Sequence, residues 1–452
     1  MKNFFKSKVV DILSNLSRRT LKKYNPIIIA VTGNVGKTTT KDYIYSFLKS
    51  KVSDSSTENN FVRASQKSEN SEFGVNLTIL GEKNAWNSPV KWAKIILKNF
   101  FKLFKEGKYP EILVLEIGAD KPGDIKYLTT IIKPDLVVLT VFQKSPTHGE
   151  FFQTIEQHIN EKKVLVEKMK SNGVIVYNSD DEIMTNIAKE KQEKNPKIEI
   201  FSFGQKENSN VQILENTNLY NEQAEILGIK LRFGINFANS FEELEIRILG
   251  IVGPAHAYSL ASAICVSVLN GFTKEDLLNA VKNFERNFDL PKSRMRILQG
   301  INDSKIIDDS YNSSPKAAMN AVETVSKIFN KGKKIAILGH MAELGKKTKE
   351  EHFQIGQEAA KYFDVIIFSG RYNGFFLEGV RDSKFDLAKV FLAENSLQVL
   401  EILKNNNLVK ENDLVLVKGS QSARLEKVVV SLLVNPRDRE EVCRQDKEWQ
   451  NR

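Results

Sequence analysis

The sequence is short of cysteine and of long apolar runs. Among its 452 residues only Cys265 and Cys443 are cysteines, and they stand far apart. This argues against a disulfide framework and a cysteine metal site, and it is typical of a reducing compartment such as the cytoplasm. No apolar run reaches the roughly 18 residues that a membrane-spanning helix needs. The N-terminus also lacks the apolar core and cleavage site of a secretory signal.

Charge is plentiful but uneven along the chain, whose net charge is +10. The first 25 residues carry lysines and arginines against a single acid, Asp11, with apolar residues at helical spacing. A second lysine-rich stretch lies at 90–105. Both segments are predicted to be basic amphipathic helices and are candidates for peripheral membrane contact. The alternative is that each packs on the core and leaves its lysines in water.

Other classes of partner are less consistent with the sequence. Basic and aromatic residues do not interleave on a recognisable nucleic-acid-binding module, so no nucleic acid is expected. Apolar residues make up 41% of the chain and charged residues 27%, which is typical of a water-soluble globular protein. We expect a cytoplasmic monomer, with membrane association through the two basic helices as the open alternative.

Short β-rich runs alternate with helical stretches along most of the chain. This alternation predicts parallel sheets covered by helices, with ligands at the carboxyl ends of the strands. The runs are Ile112–Glu116, 136–141, 173–178, 198–204, 305–310, Lys334–Gly339, 365–370 and 413–419.

The same pattern predicts four parts of the chain. They are a basic amphipathic segment at 1–25, a central α/β domain at 26–290, a second α/β domain at 291–436 and a charged, loosely held tail at 437–452. Within the central domain, 205–250 is predicted to be a small antiparallel excursion of short strands, followed by helices at 256–270 and 273–286. The segment 287–293, which contains Pro291, is the predicted linker.

A glycine loop stands between a β-branched run and a helical pattern near the N-terminus. The loop reads Gly33-Asn34-Val35-Gly36-Lys37-Thr38. Strand, glycine loop and helix in this order form a phosphate cradle, in which backbone N–H groups and the helix N-terminus face the anion. Lys37 can then reach the terminal phosphates and the Thr38 hydroxyl can hold Mg²⁺. The loop is the short form of the motif, with Val31 at the usual first glycine.

Four further groups of polar residues follow predicted strands or lie on the next helix. Glu116 ends a buried strand, where an unpaired carboxylate is costly. His148 follows the strand at 136–141. Glu161-Lys162-Lys163 lies on a helix and, taken alone, reads as an exposed charge run. The segment 308–315 runs from a strand into a loop of Asp, Ser, Asn and Pro.

Taken together and in this order, these segments resemble the Mur ligase family of ATP-dependent amide-bond ligases. The likeness spans about residues 26–430 and is carried by the glycine loop and by the segments 70–78, 115–125, 146–148, 308–315, 337–345 and 417–420. The family's N-terminal UDP-binding domain is expected to be absent, since only about 25 residues precede the glycine-loop strand. Further departures from the family pattern are Gln143 nearest a missing Asn, Ala257 in place of Asn after His256, His340 for Asp and Gln421 for Arg.

The resemblance implies an α/β protein with a P-loop central domain, built on a mostly parallel sheet, and a second, Rossmann-like domain. It implies ADP-forming ligation of an amine such as D-Ala-D-Ala to a peptidoglycan precursor, with ATP, two Mg²⁺ sites and a carbamylated lysine as cofactors. Implied ATP contacts are Gly33, Asn34, Val35, Gly36, Lys37, Thr38, Thr39, Arg294, Asp309 and Asn312.

The resemblance also implies catalytic and metal-binding roles. Thr38 and Glu116 would bind one Mg²⁺ and His148 the second. Lys162, which lies 14 residues after His148, would be the carbamate, and with Lys37, Glu116 and His148 it forms the implied catalytic set. Lys418 would face the acyl phosphate or the incoming amine.

Three other functions stay open. The chain could be a Mur-like ligase for another acid and amine, a catalytically silent nucleotide-binding protein, or a P-loop NTPase that drives motion. The complete set of lysine and metal-binding residues favours an active enzyme. A motor NTPase would need a strand that ends in Asp and an arginine finger, whereas the nearest strand-end acid is Glu116 and the second α/β domain with its 308–312 segment fits a ligase better.

Overall fold

The computed structural model describes residues 2–51, 61–65, 70–86, 88–142, 152, 154–237, 240–446 and 449. Within these residues the chain forms two sheets, and each has a buried hydrophobic cluster on both of its faces. This confirms the predicted α/β class.

The first sheet has a parallel core and an antiparallel extension. Its strands lie in the order β2-β3-β1-β4-β5-β6-β7-β8-β9, and only the β7–β8 and β8–β9 pairs are antiparallel. The strands are β1 (Ile27–Thr32), β2 (Val62–Ala64), β3 (Ile112–Glu116), β4 (Leu136–Leu139), β5 (Val174–Asn178), β6 (Glu199–Gly204), β7 (Val211–Tyr220), β8 (Ile226–Phe237) and β9 (Ser240–Leu249).

Strand β1 lies between β3 and β4, and this position creates the site. Its residues point alternately into two cores, Ile29 and Val31 into one and Ile28 and Ala30 into the other. A strand buried on both faces needs a continuous apolar run, which is what the sequence provides. After β1 the chain adds β2 and β3 on one side of this strand and then β4 on its other side. The carboxyl ends of β1, β3 and β4 therefore border a crevice, and ligands bind in such a crevice in this class of sheet.

Helices cover this sheet on both faces. They are α1 (Lys2–Tyr24), α2 (Lys37–Lys49), α3 (Glu72–Leu80), α4 (Pro89–Lys102), α5 (Asp124–Leu128), α6 (Ile155–Glu167), α7 (Glu182–Lys194), α8 (Ala255–Leu269) and α9 (Lys274–Asn287).

The second sheet begins after an irregular segment at 288–295. Its order is β10-β11-β15-β12-β13-β14, with only β10 antiparallel. Its strands are β10 (Arg296–Gln299), β11 (Lys305–Asp309), β12 (Lys334–Gly339), β13 (Val365–Ser369), β14 (Val390–Ala393) and β15 (Leu414–Lys418). Its helices are α10 (Pro315–Ser326), α11 (Thr348–Tyr362), α12 (Asn373–Asp382), α13 (Ser396–Asn405) and α14 (Glu426–Leu432).

The stretch from 205 to 250 is antiparallel, as predicted, but the prediction that its strands are short is wrong. Strands β7, β8 and β9 have 10, 12 and 10 residues, and they continue the first sheet from β6. Their alternating pattern buries one row of side chains, including Ile213, Leu231 and Ile246, in the same cluster as residues of α8 and α9. Because helices α8 and α9 cover these strands, the antiparallel segment forms part of the central sheet.

The first predicted amphipathic helix has its apolar face covered by protein. Val9, Leu13 and Leu16 of α1 share a buried cluster with residues of α3 and α4. The Ser14 and Tyr127 hydroxyls lie 2.9 Å apart, which fixes the same face. Between residues 7 and 24 of α1, Ile12 is 43% exposed, whereas Val9, Val10, Leu13 and Leu16 are buried, so this part of the helix offers little apolar surface to a membrane.

The charged tail is held more tightly than its composition predicts. Glu441 forms a 2.6 Å ion pair with Arg296, and the Cys443 N–H donates to Ser293 Oγ at 2.9 Å. Arg444 pairs at 3.2 Å with Glu426, whose side chain is 1% exposed. Residues 436–446 therefore pack on the part of the chain that forms the second sheet, because their charges find partners that sequence order does not reveal. This part is called the second unit below, and the part that forms the first sheet is called the first unit.

Candidate functional site

The glycine loop joins β1 to α2 in a conformation that only glycine adopts easily. Gly36 caps α2 with φ 85°, in the left-handed region. At Gly33, whose φ is 148°, an added Cβ would lie 2.0 Å from Thr140 Oγ1. That hydroxyl donates to Val35 O at 2.8 Å and ties the loop to the end of β4. The first-turn N–H groups of α2 consequently lie beside a fixed loop, as in an anion site.

Lys37 folds back over its own loop. Its Nζ donates to Gly33 O at 3.0 Å and to Asn34 O at 3.2 Å. Desolvation lowers the pKa of Lys37, the Glu116 carboxylate opposes that shift, and the Arg294 guanidinium adds to it. A desolvated cation beside another cation gains strongly from an arriving anion.

Glu116 lies at the carboxyl end of β3, next to the glycine loop. It pairs with Val31 in the parallel register of β1 and β3, and its side chain is 1% exposed. Asn70 Nδ2 donates to Glu116 Oε1 at 3.4 Å, and the next residue, Ile117, donates its N–H to Val31 O at 2.8 Å. The structure thus brings the predicted carboxylate to the predicted loop.

The reading of Glu161-Lys162-Lys163 as an exposed charge run is wrong for its first two residues. Glu161 and Lys162 of α6 are 7% and 2% exposed. The Glu161 carboxylate accepts N–H bonds from Gly123 at 2.9 Å and Ile125 at 2.7 Å, so it caps α5. Lys163 instead reaches Glu190 at 2.9 Å near the surface.

Lys162 is a second buried lysine near the loop whose pKa is lowered. Burial lowers its pKa from the ordinary 10.5 to about 7, and the nearby positive charge of Lys37 contributes, while Glu161 and Asp120 oppose the shift. Its amine is therefore partly neutral at physiological pH and can act as a nucleophile.

Arg294 crosses from the second unit to the glycine loop. Its Nη2 lies 3.3 Å from Thr38 Oγ1, and its guanidinium stacks 4.2 Å from the Tyr311 ring centroid. Arg444 of the tail packs on the same ring at 5.2 Å. Ser293 and Met295, on either side of Arg294, have φ values of 52° and 54°, and such strained residues are typical of functional sites.

The other residues predicted on the second unit form a separate group. Lys418, 2% exposed, pairs with Asp309 at 2.6 Å and donates to Asn312 O at 2.9 Å. These contacts hold the 309–312 loop within its own unit. No bond among the described residues joins this group to the glycine loop, so its contact with nucleotide stays a prediction.

A cavity of about 350 Å³ lies between the two units beside the glycine loop. The Tyr258 hydroxyl donates to Asp180 Oδ2 at 2.9 Å inside it. Lys316 and Asn320 of α10 form the opposite wall. The volume lies within the range of small-molecule sites. It is lined by Val35, Gly36, Thr40, Thr140, Val141, Phe142, Asn178, Asp180, Asp181, Phe203, Gln205, Pro254, Ala255, Tyr258, Ser259, Lys316 and Asn320.

Several residues of this site were missed by the sequence interpretation. Asn70 lies in a segment that carries the family resemblance, which could have drawn attention to it. Asp180, Tyr258 and Lys316 carry no local motif, and only the fold brings them together. His256, which precedes the departure from the family pattern at Ala257, is buried, with Nδ1 2.7 Å from the Tyr43 hydroxyl and Nε2 3.3 Å from Arg294 O. His148 lies outside the described residues.

The donors beside the loop suit a hard cation. Among the described residues there is no group of three or more His, Cys, Asp or Glu side chains that could hold a metal ion. Mg²⁺ is usually bound by one or two protein oxygens together with phosphates and water, so the Thr38 hydroxyl and Glu116 carboxylate fit it. No helix of the described chain has the length and hydropathy needed to cross a bilayer.

The same fold occurs in solved structures. MurF from Acinetobacter baumannii matches with a TM-score of 0.70 at 20% identity, covering 93% of this chain and 79% of that one. MurF ligase from Thermotoga maritima, solved in complex with ADP, matches with a TM-score of 0.69 at 24% identity, covering 98% and 84%.

Sequence comparison finds the same relationship. A UDP-N-acetylmuramoyl-tripeptide–D-alanyl-D-alanine ligase of Bacillus subtilis is 25% identical over 425 residues, which cover 94% of this chain and 79% of the relative. The Mur ligase middle domain matches residues 31–267, and the Mur ligase glutamate ligase domain matches residues 293–421. The two matches cover both sheets and the glycine loop between β1 and α2, and this chain belongs to the Mur ligase family.

Proposed function

We propose that this protein is an ATP-dependent, ADP-forming ligase that joins D-alanyl-D-alanine to the carboxylate of a UDP-muramoyl-tripeptide. The Bacillus subtilis relative, which shares most of the chain length, is named for these substrates. The observation that carries the proposal is the convergence of Lys37, Glu116 and Arg294 on one glycine loop. An ATP site alone would not need a buried lysine that is partly neutral at physiological pH.

The proposed reaction has two steps. The substrate carboxylate attacks the γ-phosphorus of ATP, the bond to the β–γ bridging oxygen breaks, and an acyl phosphate and ADP result. The amine then attacks the acyl carbon, the C–O bond to phosphate breaks, and an amide, inorganic phosphate and a proton are released. In the first step two anions must meet, so positioned positive charge provides most of the catalysis.

The residues of the first unit supply and orient that charge. Lys37 exchanges its two backbone acceptors for the terminal phosphates, and Arg294 approaches from the second unit. Thr38 and Glu116 would hold one Mg²⁺, and His148 the second. Bound Mg²⁺ supplies charge that offsets the phosphate oxygens. The cavity beside Tyr258 would bind the adenine ring of ATP, within reach of Lys316.

Lys162 is proposed to work as a carbamate. Its pKa of about 7 leaves a neutral amine that can add to CO₂ with loss of a proton. The product is an anion in place of a cation, and the nearby charge of Lys37 stabilises it. A buried carbamate oxygen is a hard donor like a carboxylate, so it suits the second Mg²⁺.

Asp309, Asn312 and Lys418 complete the proposal from the second unit. Their loop would reach the nucleotide when the two units close about the 288–295 segment, since closure of domains around a substrate excludes water and completes a catalytic site. Lys418 would then face the acyl phosphate or the amine. We further propose that the enzyme works as a cytoplasmic monomer, in keeping with its two cysteines.

The test is ADP release from purified protein supplied with a panel of muropeptide acids and amines. The proposal predicts release only when ATP, UDP-muramoyl-tripeptide and D-alanyl-D-alanine are all present, with an amide product of matching amount. Lys37→Met serves as the inactive control. ADP release that ignores both acid and amine would point instead to an NTPase, and no release with any pair would point to a silent nucleotide-binding protein.

One observation favours a second candidate, a ligase for a different amine. His340, at the end of β12, carries an imidazole whose pKa is lowered by burial, and its Nε2 lies 2.9 Å from Ser422 Oγ. The family resemblance places an Asp there, and a neutral imidazole cannot pair with a substrate ammonium as a carboxylate does. Activity in the same panel with another amine only would favour this candidate.

A further inference from the structure

Helix α4 has three faces, and only one of them is used by the fold. Trp92, Ile95 and Asn99 are buried against the protein. Trp92 Nε1 donates to Trp86 O at 2.9 Å, and its ring lies 5.6 Å from that of Phe73. These contacts fix how the helix is rotated, and with it the direction of the other two faces.

The second face is apolar and lies in water. Val90, Leu97, Phe100, Phe101 and Phe104 are 65%, 56%, 41%, 58% and 73% exposed. The Phe100 ring lies 5.8 Å from that of Phe101 and 5.2 Å from that of Phe104, so the three rings form one patch. Single exposed apolar residues are normal, whereas a contiguous patch of this kind marks an interaction surface.

The third face, beside the apolar one, is basic. At 100° per residue Lys91, Lys94, Lys98 and Lys102 fall in one narrow sector, and Lys105 follows just after the end of the helix. Glu82 pairs with Lys98 at 2.8 Å and with Lys102 at 3.6 Å. In the described part of the chain no ion pair joins Lys91, Lys94 or Lys105 to an acid.

The patch is held ready on a rigid support. Lys23, near the end of α1, donates to Lys102 O and Leu103 O, both at 3.2 Å, and caps the last turn of α4. A cation at that helix end also complements the helix dipole. Docking therefore requires little ordering of the helix itself, which lowers its entropic cost.

We propose that α4 docks this protein on an anionic membrane surface. A helix parallel to a bilayer needs an apolar stripe for the acyl boundary and flanking cations for lipid phosphates, and α4 has both. Phe101, Phe104 and Leu97 enter the headgroup region while Lys91, Lys94 and Lys105 contact the phosphates. The lysine stripe favours lipid over a second copy of the chain, because two copies would bring like charges together. The inference does not depend on the ligase reaction.

The test is co-sedimentation with vesicles of phosphatidylcholine, with and without phosphatidylglycerol, at low and high salt. We expect binding only to the anionic vesicles, weakened by salt. Phe101→Ser/Phe104→Ser should lower the partition coefficient about 100-fold, since each inserted phenyl contributes roughly tenfold. Lys91→Gln/Lys94→Gln/Lys105→Gln should lower it on the order of 100-fold, at about fivefold per lysine.

Phe329→Ser is the matched control, since this side chain is 57% exposed on the second unit and should not affect binding. All substituted side chains are exposed, so unfolding temperatures should stay unchanged. Absence of binding to anionic vesicles at low salt would overturn the inference. Unchanged vesicle binding by the Phe101→Ser/Phe104→Ser variant would also overturn it. So would a dimer of the unsubstituted protein, seen by light scattering and lost in this variant, if the protein did not bind vesicles.

Discussion

The two walls of the cleft handle their charges differently. On the first unit burial lowers the pKa of both Lys37 and Lys162, and a nearby cation adds to each shift, Arg294 for Lys37 and Lys37 for Lys162. On the second unit Lys418 and Arg444 are paired with carboxylates, Asp309 and Glu426 respectively. A bound phosphate would therefore offset the repulsion between positive charges on the first wall. Its interaction with the second wall would be weaker, because the cations there are already paired. The comparison suggests that residues of the first wall take part in the reaction, whereas residues of the second wall support the shape of the site.

The largest expected effect comes from removing the buried amine of the first wall. Lys162→Ala should lower kcat at least about 100-fold, because the carbamate and its orienting charge are lost. Added bicarbonate should not restore the rate. Lys163→Ala is the control, since its ammonium reaches only the exposed Glu190, and its kcat should stay within about twofold. A fully active Lys162→Ala enzyme would remove the proposed carbamate.

A substitution on the second wall is expected to act mainly on the free energy of unfolding. Lys418→Met leaves the Asp309 carboxylate without its partner and should lower the free energy of unfolding by about 2–4 kcal/mol in urea titrations. Asp309→Asn should cost less, and the double variant should be more stable than the sum of the two losses predicts. An unchanged unfolding free energy in Lys418→Met would show that this pair does not support the 309–312 loop.

The pH dependence sharpens the comparison with a smaller effect. With a pKa of about 7, lowered by burial, the Lys162 amine is mainly protonated at pH 6 and mainly neutral at pH 8. Carbamate formation also releases a proton, so at a fixed concentration of dissolved CO₂ kcat should rise at least about tenfold over that interval. The measurement is a pH–rate profile in buffers of defined CO₂ content. A flat profile across this interval would contradict the lowered pKa.

Local patterns were enough to predict the parallel strands and the glycine loop. Strand β3 and helix α9 lie within a residue of their predicted positions, because buried strands and amphipathic helices have distinct periods. The position of Glu116 beside the loop also followed from its place at a strand end, since the carboxyl ends of parallel strands share one edge of the sheet.

Features that depend on long-range packing could not be predicted. Glu161 and Lys162 look like a surface charge run, and only the approach of α5 to α6 buries them. Helices α1 and α4 look alike in sequence, yet α1 hides its apolar face while α4 exposes one. Which of two amphipathic faces is covered depends on the neighbouring element, and the local period contains no information about that.

The most direct test of the account is the fate of oxygen from the acid substrate. Acid labelled with ¹⁸O in the reacting carboxylate would be incubated with ATP, the amine and the enzyme, and the released phosphate examined by mass spectrometry. Attack of the carboxylate on the γ-phosphorus predicts one ¹⁸O atom in each phosphate released with amide. Unlabelled phosphate, with the label kept in the acid, would show that ATP is hydrolysed by water and would contradict the ligase mechanism.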